Sequence, residues 1–406
     1  MGKSILIISQ SFYPEIGSAG NRMKNIFQLL TDKGYKVSVI TTEPTYPNKK
    51  IYMEDSFWNE PNINNDTENI NRIKVANRKY SRSIFNRLLY YLEIAFRMLF
   101  YIVKDKRKFD VIFVSSPPIF IGVVGLIAKF RYKSQMILDI RDLWPESLKG
   151  VGVFDNKVIL NVFGFIEKLL YIKSDQIIVN SYKFKKYIQL KAKVQPSKIG
   201  FMPNSARLTE LSDPFINDIK VKKDFKVIYT GNIGLAQDVE ILKALASNLS
   251  TYNIKLSIIG YGIKRSELKE YITNKKLTNV QFYSPVTRKE CFELNMQHQV
   301  GFVSLNDKEV FDTVLPGKLV DYMTCGLPIV ASVSGYSKDI IEKEKVGLVS
   351  TTRDIHEIIG HILFLYHNSE VREEFSKNSK EFVRKTFLWE QNIQELINRV
   401  ENTSLT

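Results

Sequence analysis

Short runs dominated by aliphatic residues recur along this chain, each followed by a polar loop and then a stretch with helical spacing. That recurrence constrains the fold more than any other feature. The first series is SILIIS at 4–9, YKVSVIT at 35–41, FDVIFVS at 109–115, QMILDI at 135–140, DQIIVN at 175–180 and KIGFMP at 198–203. Strands apolar on both faces belong inside a sheet covered by helices on both sides, which requires parallel strands with helical crossovers. Residues 204–224 break the rhythm and hold Pro214 among polar residues. It then restarts with FKVIYT at 225–230, KLSII at 255–259, VQFY at 280–283, GFVSL at 301–305 and PIVASV at 328–333. The 406 residues suffice for two α/β domains of about 200 residues each. The expectation is two Rossmann-like, doubly wound domains facing across a cleft: residues 1–204, a linker at 205–224, and residues 225–385. Residues 386–406 form a terminal helix expected to pack back on the first domain.

The formal charge of +15 is confined to one half. Residues 1–210 hold 33 Lys and Arg against 18 Asp and Glu, whereas residues 211–406 hold 25 of each. A basic half points to a polyanionic partner, nucleic acid or an anionic membrane face. The segment IFNRLLYYLEIAFRMLFYIV at 84–103 is long enough to span a bilayer, but Arg87, Glu93 and Arg97 interrupt it. On a helix Asn86 joins these three on one side, leaving a broad apolar and aromatic face, so the segment reads as interfacial or as a core helix. Flanking bases at Arg78, Lys79, Arg82, Lys104, Lys106, Arg107 and Lys108 add attraction for anionic lipid. No recognised nucleic-acid motif is present, so no nucleic-acid partner is expected. Cys291 and Cys325 are too few for a disulfide framework, and MGKSILIISQ lacks the features of a signal peptide. The expected location is cytoplasmic and peripheral on the inner face of the cell membrane.

Ligand-binding residues in such sheets come from loops at the carboxyl ends of the strands. After the first strand, QSFYPEIGSAGN carries Gly17 and Gly20 into a helix start, although its spacing is not the G-x-G-x-x-G of a dinucleotide site. After the strand at 135–140, RDLWPESLKG gathers Arg141, Asp142, Trp144 and Glu146. Late in the chain, FDTVLPGKLVDYMTCGLPIVAS at 311–332 puts Lys318 and Asp321 near a helix start, where unpaired N–H groups and the helix dipole favour an anion. The sequence has no Asp-x-Asp pair and no clustered His or Cys, so no metal site and no obligatory metal are expected.

Several segments together resemble the nucleotide-sugar glycosyltransferases of the GT-B fold, specifically the large retaining family 4, over nearly the whole chain. YPEIGSAGNRMKNIFQLLTDKGYKVSVIT is similar to the family's N-terminal glycine loop and helix. IGFMPNSA is similar to its interdomain turn, with Ser205 in place of Gly. VIYTGNIGLAQD, IIGYGIKRSEL and LPGKLVDYMTCGLPIVAS resemble its three donor-binding blocks. DIRDLWPES paired with GNIGLAQD resembles the branch that builds bacterial capsule and O-antigen repeat units, including N-acetylfucosamine transferases.

The resemblance implies transfer of a sugar, of the N-acetylated amino type in that branch, from a UDP-linked donor to a polyprenyl diphosphate-linked saccharide, with retention. No cofactor beyond the nucleotide sugar is implied. Implied donor contacts are Gly17, Gly231, Asn232, Gly234, Gln237, Gly260, Gly262, Arg288, Asp312, Thr313, Pro316, Gly317, Lys318 and Asp321. Lys318 would stabilise the departing diphosphate, shared in part with Lys264, Arg265 and Arg288, and Asp321 would hold the ribose. Acceptor contacts would come from Ser18, Asn21, Arg22, Ser115, Arg141 and Trp144, with Asp142 or Glu146 orienting or deprotonating the acceptor hydroxyl. Two departures from the family pattern stand out. Its pair of glutamates seven residues apart is replaced by Thr313 and Asp321, with Asp312 one residue earlier, and its N-domain histidine falls at Ser115. An epimerase of the same fold and a basic nucleic-acid-binding protein are the alternatives. The first is disfavoured because all four histidines lie at position 298 or beyond.

Overall fold

A computed structural model describes residues 2–76, 84–152, 156–211 and 225–402. It contains two all-parallel sheets. The first is built from β1 (Ser4–Ile8), β2 (Lys36–Thr42), β3 (Ile70–Ile73), β4 (Val111–Ser116), β5 (Gln135–Ile140), β6 (Gln176–Val179) and β7 (Ile199–Phe201). The second is built from β8 (Lys226–Asn232), β9 (Lys255–Tyr261), β10 (Val280–Tyr283), β11 (Val300–Ser304), β12 (Ile329–Ser332) and β13 (Gly347–Ser350). Their orders are β3-β2-β1-β4-β5-β6-β7 and β10-β9-β8-β11-β12-β13. In each sheet the chain works outward on one side of the first strand and then crosses to the other. Ile5 is thus paired with Val37 on one side and Val111 on the other. The crevice left at the carboxyl ends where the order reverses is where such sheets take ligands.

The central strands are buried on both faces, as their unalternating sequences demand: Ile5 to Ile8, Val111 to Val114 and Ile177 to Val179 are all fully enclosed. Two edge strands were not anticipated. INRI at Ile70–Ile73 is short and half polar, and GLVS at Gly347–Ser350 is short and glycine-led, so neither carries a periodic signal. The excursion at 43–70 is ordered by its own contacts. Trp58 Nε1 donates to the Tyr52 carbonyl at 2.9 Å, and Lys24 pairs with Glu60 at 2.7 Å.

The chain divides into two compact units, Met1–Pro203 with Glu390–Thr406, and Asn204–Trp389. In the first, the terminal helix Trp389–Glu401 is tied to the amino-terminal sheet: Lys3 Nζ donates to the Val400 carbonyl at 2.7 Å and Tyr35 to the Glu401 carboxylate at 2.5 Å. Residues 205–211 of the expected linker belong to the second unit, whose ends are stapled by Ala206 N–H donating to Phe387 O and Trp389 N–H to Ala206 O, both at 2.9 Å. The rest of that linker, 212–224, lies outside the described residues.

The segment expected to be interfacial or core is a single helix, Ile84–Lys104, that is amphipathic within its apolar set. Tyr90, Ile94, Met98 and Ile102 are buried, while Leu92, Phe96, Phe100 and Val103 form an exposed stripe, Phe96 being 73% exposed. The polar side is partly self-satisfied by the Arg97–Glu93 pair at 2.8 Å. Arg78, Lys79 and Arg82 lie outside the described residues. Among the described residues no helix is long and apolar enough to cross a membrane.

Candidate functional site

In the second unit the expected residues converge around Lys318. Pro316 fixes the entry to the helix Gly317–Thr324, and Gly326, at φ 63°, ends it before β12. Lys318 Nζ is enclosed, makes no hydrogen bond, and sits 3.7 Å from the centroid of the Tyr229 ring. Burial pulls its pKa down to about 7, against the weaker pull of Cys291 and Asp321. Its aliphatic end lies beside Gly231, whose φ of 105° excludes ordinary side chains; a Cβ there would stand 3.6 Å from Lys318 Cε.

At the end of β8, Gly231 and Asn232 stand in register opposite Gly260 and Tyr261 of β9. The Gly234 N–H donates to Gln237 Oε1 at 3.0 Å, so Gln237 closes the loop on itself. Gly262, at φ 113°, allows its backbone to lie against Asn232; a Cβ there would meet Asn232 Oδ1 at 2.2 Å. The cradle is tight.

Arg288 is not the free phosphate-binding base the sequence suggested. A reciprocal capping box between Thr287 and Glu290 sets it at the start of the helix Arg288–Met296. From there its Nε donates to Glu210 Oε1 at 2.5 Å, its Nη2 to Glu210 Oε2 at 3.2 Å, and its Nη1 to Asp321 Oδ1 at 2.9 Å. Burial opposes its charge, but Asp321 and Glu210 together hold its pKa above the ordinary value. Burial raises the Asp321 pKa, with Arg288 opposing the rise and Glu210 adding to it. Lys264 is likewise engaged, with Glu267 at 2.7 Å, and Arg265 Nε donates to the Gly260 carbonyl at 2.8 Å. Asp312 accepts from the Ser334 hydroxyl, and Thr313 donates to the Val310 carbonyl at 2.6 Å, so both shape the loop before Pro316.

In the first unit the expected acceptor residues lie around the carboxyl ends of β1, β4 and β5. Gly17, at φ 109°, caps the helix Ser18–Asp32, on which Ser18 is exposed and Asn21 accepts from Asn25 Nδ2. Arg22 and Ser115 correct the sequence reading, because neither has any exposed surface with which to touch an acceptor. Arg22 grips Asp139 through Nε at 3.1 Å and Nη2 at 2.7 Å, both side chains being fully buried. Ser115 accepts from Arg141 Nε at 2.6 Å, and Arg141 Nη2 donates to the Pro117 carbonyl at 2.7 Å. These groups form the frame that aims the next loop.

On that loop Asp142 accepts from the Leu143 N–H at 2.9 Å and the Ser147 hydroxyl at 2.8 Å. Burial raises its pKa against those two bonds. Trp144 stands edge-on to Tyr91 at 5.7 Å, which makes it a loop anchor. Glu146 faces Lys191 at 3.6 Å, and Lys191 is closer, at 2.6 Å, to the buried Glu167, whose pKa burial pushes up to about 7. Glu15, passed over in the sequence, is buried and accepts from the N–H groups of Thr45 at 3.1 Å and Tyr46 at 3.3 Å. Glu210, Tyr229, Lys191 and Glu167 were also missed; no local pattern marks them, because each gains its role from a distant partner. Among the described residues no three His, Cys, Asp or Glu side chains gather as a metal-binding group.

Comparison with known proteins places both halves. Residues 19–209 match the family described as Glycosyltransferase Family 4, and residues 213–382 match Glycosyl transferases group 1. An uncharacterised glycosyltransferase of Methanocaldococcus jannaschii is 24% identical over 418 residues, covering 97% of each chain. The Escherichia coli protein named for colanic acid biosynthesis, glycosyl transferase WcaI, is 23% identical over 82% of this chain and 84% of its own. Among solved structures, HepE of Anabaena in complex with UDP and glucose superposes with a TM-score of 0.70 at 16% identity, over 98% of this chain and 99% of that one.

Proposed function

The chain is a glycosyltransferase of the GT-B type that uses nucleotide sugars, and from that premise we propose that it moves a sugar from a UDP-linked donor to a polyprenyl diphosphate-linked saccharide, with retention. The observation that carries the donor half is Lys318: an enclosed amine with no hydrogen-bond partner, at a helix start and packed beside Gly231. A diphosphate leaving group develops negative charge as the glycosidic bond breaks, and a cation held in a water-poor site stabilises that charge far more than one in solvent. Arrival of the diphosphate would draw the Lys318 pKa back up and fix its proton. Asp321, one helical turn on, is the candidate for the ribose hydroxyls. A UDP moiety is favoured by the UDP bound to HepE.

For the acceptor, Arg141 and Asp142 are the groups at the mouth of the first sheet, and Asp142 is held by Leu143 and Ser147 in one orientation. Retention follows from the family resemblance, in which the leaving phosphate takes the acceptor proton and no protein nucleophile is required. A lipid-linked acceptor fits the exposed stripe of Leu92, Phe96, Phe100 and Val103 with Lys104 stacked 4.1 Å from the Phe100 ring. Phe130, on the helix Ile119–Tyr132, and Phe165, on the helix Lys157–Lys173, are exposed as well. Burying an exposed Phe in a bilayer interface contributes about 1.5–3 kcal/mol, and each nearby base adds about 1 kcal/mol on anionic lipid. The name of the E. coli relative supports a polysaccharide-building role. The resemblance of DIRDLWPES and GNIGLAQD to the capsule and O-antigen branch favours an N-acetylated amino sugar such as N-acetylfucosamine. The test is a panel of UDP-, GDP- and dTDP-sugars scored by thermal shift and by nucleotide release with lipid-linked acceptors. Stabilisation by GDP- or dTDP-sugars alone would overturn the UDP reading.

A further inference from the structure

Glu210, Arg288 and Asp321 come from three separate segments, and the one guanidinium carries three hydrogen bonds to the two carboxylates. Arg288 is forked onto both oxygens of Glu210, at 2.5 and 3.2 Å, and its remaining arm reaches Asp321 Oδ1 at 2.9 Å. Its face lies 4.4 Å from the Phe292 ring centroid, a cation–π contact. Asp321 therefore spends one oxygen on Arg288, while its Oδ2 makes no hydrogen bond among the described residues.

Glu210 is itself held. Its Oε2 accepts from the Arg207 N–H at 2.8 Å, and it sits in the one-turn helix Leu208–Leu211, directly after the Ala206 staple that joins the two ends of the second unit. The order of constraint runs from staple to Glu210, from Glu210 to Arg288, and from Arg288 to Asp321. Glu210 takes the Nε–Nη2 fork, so Arg288 engages a single oxygen of Asp321 and leaves Oδ2 as an acceptor for a hydroxyl ligand. Without Glu210 that fork could close on both Asp321 oxygens.

We propose that Glu210 is a positioning residue for ribose recognition, fixing Arg288 so that Asp321 presents its free oxygen to the ribose hydroxyls of the donor nucleotide. This rests on the donor reading above. It assigns nucleotide selectivity in part to a residue outside the donor-binding loops, and it takes Arg288 away from the phosphates.

The test uses the full chain and two ligands, UDP and 2′,3′-dideoxy-UDP, with Kd measured by calorimetry for the unmodified protein, Glu210→Gln and Arg288→Lys. The unmodified protein is expected to prefer UDP. Both variants should weaken UDP by about tenfold, the scale of one well-oriented charge-assisted hydrogen bond, while changing the dideoxy Kd less than twofold. A purely structural role would weaken both ligands equally, and that result overturns the assignment. So does Glu210→Gln with unchanged preference. Failure of the unmodified protein to bind UDP overturns the donor reading and this assignment with it, whereas UDP binding with no ribose preference overturns the assignment alone.

Discussion

Lys318→Met removes an ammonium that the fold encloses against Tyr229 without a hydrogen-bond partner, and it keeps a flexible side chain that reaches most of the way along the same path. Burial lowers the lysine from 10.5 to about 7. In the unfolded chain the amine holds its proton to about pH 10, in the folded chain only to about pH 7. Between those values the unfolded state binds more protons, so this group's contribution to stability rises with pH and is at its least favourable below about pH 7. At about 1.4 kcal/mol per pKa unit, the protonated lysine withholds about 4 kcal/mol at pH 7 that is recovered by about pH 10. Methionine has no such dependence. Urea unfolding of both proteins at pH 7 and near pH 10 should show the variant more stable at pH 7 by up to about 4 kcal/mol, with the gap shrinking as pH rises. Transfer should fall at both pH values by about 10²–10³-fold, the scale of losing one transition-state donor. A stability gap that does not move with pH would show that Lys318 is not enclosed as an unpaired cation. Retained transfer would remove it from the diphosphate.

Asp139→Asn leaves the Arg22 guanidinium buried without its counter-charge, and breaking such a pair costs about 3–5 kcal/mol, so urea unfolding should show a loss of that size. A shift below 1 kcal/mol would mean that Arg22 finds another partner. Phe96→Ser with Phe100→Ser should leave the thermal midpoint nearly unchanged, because both rings are exposed, but should cut co-sedimentation with anionic liposomes several-fold. Unchanged partition would assign that stripe to something other than a membrane. In the same assay the unmodified protein's partition should weaken with added salt as screening shortens the reach of Lys104 and Lys106.

The sequence by itself determined the two parallel, helix-covered sheets and the core strands of each. Each of these follows from local information: a strand buried on both faces must be apolar throughout, and a chain cannot run on from one parallel strand to the next without a crossover. Lys318, next to the helix start that a proline and a glycine announce, was legible for the same reason. Only tertiary structure decided which charged residues were free. Arg22 reads as an acceptor contact until Asp139, 117 residues later, closes on it inside the core. Arg288 reads as a phosphate ligand until Glu210, 78 residues earlier, takes its fork. The edge strands β3 and β13, too short and mixed to carry a period, were likewise decided by their neighbours. Spacing along the chain records which residues share a face, but the pairing energy of a charge depends on what the fold brings to it and on how much water it removes, and neither quantity is written locally.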